Sequence, residues 1–225
     1  MGTQEELKPA FYALRPGGWR DYVTLLHPPY TLWHLSYVAV GAALAPRFHL
    51  DRLLWALLSF FLAMGVAAHA LDELKGRPLR THIPSPALVA LAAVGLAGAV
   101  AIGIGASLAW GLGLLAFVAA GAVIVPAYNL ELALHTDAGF AVTWGAFPAL
   151  TGYFVEAQTL RAEAVAAALY AFALSYAQRA LSTPVRQARR QAATTAGIGG
   201  LERALRSLTW ASVALAVALV AARLR

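Results

Sequence analysis

Residues 85–106 read SPALVALAAVGLAGAVAIGIGA, a run without a single charged side chain. About 20 mostly apolar residues are enough to carry a helix across the hydrocarbon core of a bilayer. The run is rich in Ala and Leu and does not alternate, so it is a helix rather than a barrel strand. Six further apolar windows flank it, at 30–46, 52–73, 108–129, 139–157, 161–180 and 207–223. Ala106-Ser107 is the expected turn between the central pair, and Thr143, Pro148 and Thr151 interrupt the fifth window. The sequence therefore predicts an all-α, polytopic transmembrane helix bundle of about seven spans. It forms one transmembrane domain over 29–225, preceded by a cytoplasmic or interfacial segment over 1–28.

Composition agrees. Of 225 residues 60% are apolar and 12% charged, and the mean hydropathy is +0.65. A soluble domain is about 45–50% apolar and roughly 25% charged. A cytosolic globular enzyme, a disordered chain and a collagen are excluded. With no cysteine, the chain has no disulfide, zinc-thiolate, iron–sulfur or cysteine-nucleophile chemistry. Residues 1–28 lack a basic start followed by an apolar run, so no cleavable signal is expected. The formal charge of +6 is assigned to basic loops rather than to nucleic-acid binding. On a seven-span reading, twelve of the 17 basic residues fall on the N-terminal side of the bundle. Positive-inside then places that side in the cytoplasm, in a protein integral to the plasma membrane. The segment 181–206 reads as a basic cytoplasmic connection, a helix pair or a mobile flap, facing either lipid headgroups or a substrate phosphate. Ala97, Ala101 and Gly105 form a stripe of small residues suited to helix packing, or else to a smooth wall for a lipid tail.

Ionisable side chains at membrane depth are costly and mark function. His69, Asp72 and Glu73 share one helix face. Tyr128, Asn129, Glu131, His135 and Asp137 end the fourth window. His27, Tyr30 and His34 open the first, and Ser175, Tyr176, Gln178 and Arg179 close the sixth. All lie toward the N-terminal side. Carboxylates suit magnesium bridged to phosphates, whereas His mixed with carboxylate suits zinc or iron. His49 and His82 read as ordinary structural histidines. There is no HExxH, GxSxG or phosphate-binding glycine loop.

Four stretches together resemble the UbiA superfamily of membrane prenyltransferases. They are Leu14-Arg15-Pro16 through Gly41-Ala42-Ala43; His69-Ala70-Leu71-Asp72-Glu73 with Arg77-Pro78 and Ile83-Pro84; Tyr128-Asn129; and GFAVTWGAFPALTG at 139–152. The resemblance covers about 15–190. It implies a helical bundle with a cytoplasm-facing cavity that binds or acts on an isoprenoid diphosphate, with Mg2+ as cofactor. Under it Asp72, Glu73 and His69 are the catalytic and metal residues. Asn129, Tyr128, Arg77, Arg179, Arg186 and His34 contact substrate. Trp33, Tyr128, Tyr153 and Tyr176 either line the pocket or pack the core. The departures are specific. The family's first motif is NDxxDxxxD, and aligned on Asp72 this chain has Ala68, His69 and Gly76 in place of its Asn, first Asp and last Asp. The region of the second acidic motif, SYAQRALSTPVRQARR, contains no acid. Arginines such as Arg77, Arg179 and Arg186 are then the remaining source of positive charge for a diphosphate. Two other readings stay open. One is a metal-dependent lipid hydrolase or oxidase with zinc or iron on His34, His69, Asp72, Glu73 and His135. The other is a non-catalytic subunit that binds a lipid or a partner.

Overall fold

The structure, a computed structural model, describes residues 8–132, 134–190 and 197–225. Each predicted window becomes a helical rod. After a short α1 (Trp19–Leu25) come α2 (Pro28–Leu44), α3 (Leu50–Leu74), α4 (Ser85–Trp110) and α5 (Leu114–Asn129). They are followed by α6 (137–157), α7 (Ala162–Arg190) and α8 (Ile198–Arg223). By length and composition α3, α4 and α8 suffice to cross a membrane, and α5 is apolar but shorter. The protein is an integral membrane helix bundle.

Short connections make successive rods antiparallel. At the end where α2 begins, called proximal here, Lys75 pairs with Glu131, Arg179 with Asp137 and Arg189 with Glu202. At the distal end His49 meets Glu156, and Arg223 donates to the Pro46 carbonyl. Helix α2 starts on Pro28-Pro29, whose fixed φ suits a first turn. It is buried on nearly all faces from Thr31 to Ala43, as befits a central helix. Its close neighbours are the second half of α6 and α8. Gly41 lies under the Ala149 carbonyl and Gly152 under that of Val38, so the α2 and α6 backbones touch where a Cβ would collide.

Two rods contain wide π turns, at Phe61–Ala68 in α3 and Val142–Ala146 in α6. The second absorbs the interruption read at Thr143 and Pro148. Thr143 Oγ1 donates to the Gly139 carbonyl at 2.8 Å, and Pro148 starts the next α turn.

Two expectations are corrected. Helix α4 does not turn at Ala106-Ser107. Ser107 Oγ donates to the Gly103 carbonyl at 2.7 Å, the helix continues to Trp110, and the break falls at Gly111 (φ +150°). Ala97, Ala101 and Gly105 are exposed on the outer surface of α4. The close approaches of α4 use Gly95 against the Leu62 carbonyl and Gly103 against Val118. The basic stretch 181–206 is mostly helix, with α7 running on to Arg190 and α8 starting at Ile198. Residues 191–196 of that stretch, and 1–7 of the N-terminal segment, lie outside the described residues.

Candidate functional site

An apolar cleft of about 840 Å³, open mouth included, lies between α3, α4, α5 and α6. Trp55, Phe60, Leu96, Phe117, Val125 and Trp144 are among its walls. Ser59 and Thr143 line it too but turn their hydroxyls onto backbone carbonyls, which leaves the walls nearly all hydrocarbon. Gly121 on α5 and Gly103 on α4 keep the facing walls low.

Against the proximal end of the cleft lies a cluster of largely buried polar side chains, called the polar chamber below. Val125, Met64 and Trp144 pack in one cluster with Tyr128, whose ring stands edge-on to Trp144 at 5.6 Å. Tyr128, Phe140 and His34 follow in contact, with Phe140 5.6 Å from His34 and 6.0 Å from Tyr128. The Arg179 guanidinium lies over Phe140. On the other side His69 stacks on His27 at 4.1 Å, and Tyr12 Oη lies 2.6 Å from His27 Nδ1. Asp72 is within electrostatic reach of Arg186, Tyr12, Tyr128 and His135. Four buried polar atoms near this end have no protein partner: His27 Nε2, His34 Nδ1, Tyr128 Oη and Gln178 Oε1. Such groups are costly unless something polar meets them.

Local structure explains the placement. The π turn of α3 ends just before His69 and sets it back in rotation relative to a regular α-helix, and its Nδ1 lies 3.2 Å from the Gly65 carbonyl. His27 caps α2 in a left-handed conformation (φ 46°), which folds its ring toward α3. Burial, with the neighbouring His69 and Arg186, pushes the His27 pKa well below its usual value, so the ring is neutral.

Of the residues named from sequence, His34, His69, Asp72, Tyr128, Arg179 and Arg186 come together here. Others hold the scaffold. Glu73 is 0% exposed and accepts from the Leu79 and Thr81 amides and the Thr81 hydroxyl, all at 2.9 Å. Arg77 staples the same loop, donating to the Thr81 and Ile83 carbonyls and to Ser85 Oγ. Asn129 Nδ2 donates to the Val125 carbonyl at 2.7 Å within α5. Trp33 and Tyr153 are fully buried core, and Tyr176 is exposed. Tyr12 is not singled out by the sequence, and His27 is marked there only as a polar residue before the first window. Neither lies in a motif, and only folding brings Tyr12 to the start of α2.

The donor set does not fit a magnesium clamp. With Glu73 saturated, Glu131 paired to Lys75 and Asp137 to Arg179, Asp72 alone is left facing the chamber among these acids. The zinc or iron set fares no better. No group of three His, Asp or Glu among the described residues converges on one metal position. His135 is engaged by Tyr128 and Arg179 instead.

No family model matches the chain, and no curated relative does. Among solved structures it is similar to a UbiA homologue from Archaeoglobus fulgidus determined with bound Cd2+. The TM-score is 0.59 and the identity 23%, over 90% of this chain and 77% of that one. The likeness is one of fold, and the bundle described above is UbiA-like.

Proposed function

We propose that this protein is a membrane-embedded holder of an isoprenoid diphosphate lipid, with its tail in the apolar cleft and its headgroup in the proximal chamber. The observation that carries the reading is the junction at Tyr128 and Trp144. There a hydrocarbon-lined cleft gives way to two arginines and a set of buried, unpartnered polar atoms. An amphiphile with a long apolar chain and a compact polar head satisfies both halves. The UbiA-like fold supports an isoprenoid as that amphiphile. The preponderance of basic residues at the proximal end supports a chamber facing the cytoplasm of the plasma membrane. If the chain is also transferred to an acceptor, the departing diphosphate takes up negative charge, and Arg186 and Arg179 are positioned to stabilise it.

The test is equilibrium binding of geranylgeranyl diphosphate to the detergent-purified protein and to Gly121→Trp. The indole of the variant would fill the cleft beside Phe147. Saturable binding that drops by about tenfold or more in the variant supports the reading, because a cleft-filled tail site loses most of its buried apolar area. Binding unaffected by the filled cleft would contradict it.

A further inference from the structure

Arg186 is a largely buried cation of the chamber that makes no ion pair among the described residues. Arg179 is tied to Asp137, and Arg189 to Glu202. Arg186 instead donates to neutral hydroxyls of its own helix, Ser182 Oγ at 3.0 Å and Thr183 Oγ1 at 3.1 Å. It stands among Tyr12, Tyr30 and Tyr128, with Asp72 as the acid in reach. Burial and the nearby Arg179 charge both weigh against its protonated form. A cation in that position gains from an anion brought in from outside. Arg179, Arg186 and Arg190 act on this chamber together with Asp72, Glu73 and Asp137, and of these acids Glu73 is engaged by the 79–81 loop and Asp137 by Arg179. The buried Tyr128 hydroxyl adds a donor with no acceptor. A planar guanidinium fork and a spare hydroxyl match the oxygens of a phosphate. The carboxylates that a divalent cation would need are engaged elsewhere, Glu73 in the 79–81 loop above all.

We infer that the chamber holds the phosphate headgroup of its lipid directly on Arg186, assisted by Arg179 and the Tyr128 hydroxyl, with no divalent cation between protein and ligand. The inference rests on the lipid reading above and gives it a chemistry: Arg186 does here what a metal clamp would do. Arg186 is a binding residue, and the hydroxyls of Ser182 and Thr183 are positioning groups for it.

The experiment measures binding of geranylgeranyl diphosphate, geranylgeraniol and inorganic pyrophosphate to the full chain in detergent, each in magnesium and in EDTA. Arg186→Gln and Arg186→Lys are compared with the wild type. The diphosphate is expected to bind equally well in both buffers. Arg186→Gln should lose about tenfold or more, and Arg186→Lys less, since the charge stays while the fork goes. Geranylgeraniol should bind wild type and Arg186→Gln alike, which shows that the variant is folded and its cleft intact. Diphosphate binding that requires magnesium overturns the metal-free inference and leaves the lipid reading standing. Pyrophosphate binding as tightly as the lipid assigns the charges to a free anion and overturns the headgroup assignment. Binding of neither prenyl compound overturns the lipid reading itself, and the inference with it.

Discussion

Asp72 and Glu73 are adjacent and both acidic, yet the structure gives them unrelated work. Glu73 accepts three hydrogen bonds that set the 79–81 loop, while Asp72 looks into the chamber. Hydrogen bonds to a charged group are worth about 1.5–3 kcal/mol each. Glu73→Ala is therefore expected to lower the thermal unfolding temperature markedly, whereas Asp72→Asn should leave it nearly unchanged and alter ligand affinity instead. A scan of both variants in detergent decides this, and equal destabilisation would contradict the assignment. His27 makes a second residue-scale prediction. Burial first, then His69 and Arg186, holds its pKa well below the unfolded value. An unfolded histidine takes up its proton near pH 6.5, so the unfolded chain binds it before the folded one does. The stability that depends on a neutral His27 is complete above that pH and is lost as the pH falls below it. Unfolding temperatures measured between pH 7.5 and 5 should decline more steeply in wild type than in His27→Gln. Parallel curves would exclude His27 as the source. Residue types were legible in the sequence at this scale, but their jobs were not. The spacing that put His69, Asp72 and Glu73 on one face could not say that Glu73 would be claimed by a loop six residues on.

At the scale of elements, the helices were legible because long uncharged runs leave the backbone no other way to satisfy its hydrogen bonds in a bilayer. Their ends and contacts were less so. Ser107 looked like a turn and is a helix residue bonded back to Gly103, while the true break waits for Gly111. The stripe of Ala97, Ala101 and Gly105 had the spacing of a packing face, but spacing alone does not choose between two sides of an apolar helix. The contact that fixes the bundle is that of α2 with α6, at Gly41 and Gly152. Gly152→Ala would drive a methyl group into the Val38 carbonyl, and overpacking of this kind costs about 1–3 kcal/mol. Gly105→Ala has open space around it and gains helix propensity of up to about 1 kcal/mol. Thermal unfolding should therefore move down in the first variant and stay level or rise in the second. A reversal would mean that the α2–α6 contact is not the tight one.

For the molecule as a whole, the fold joins two solvents along one path, hydrocarbon between α3, α4, α5 and α6, and a polar chamber at their proximal ends. The UbiA-like architecture was readable from four short stretches, and the solved structure of a UbiA homologue bears it out at the level of fold. The chamber's composition was only half readable. The absence of the second acidic motif was plain in the sequence, but the grouping of Arg186 with Tyr12, Tyr30 and Tyr128 and the His27–His69 stack depend on segments distant in the chain. The central claim is that the lipid tail lies in the cleft. Photo-crosslinking with a prenyl diphosphate carrying a diazirine near the end of its tail tests this most directly, with labelled peptides mapped by mass spectrometry. The account predicts saturable labelling at cleft-facing positions such as Leu96, Phe117 and Val118, removed by excess unlabelled lipid. Labelling confined to outward positions such as Val94, Leu108 and Val123, or labelling that excess lipid does not displace, would contradict it.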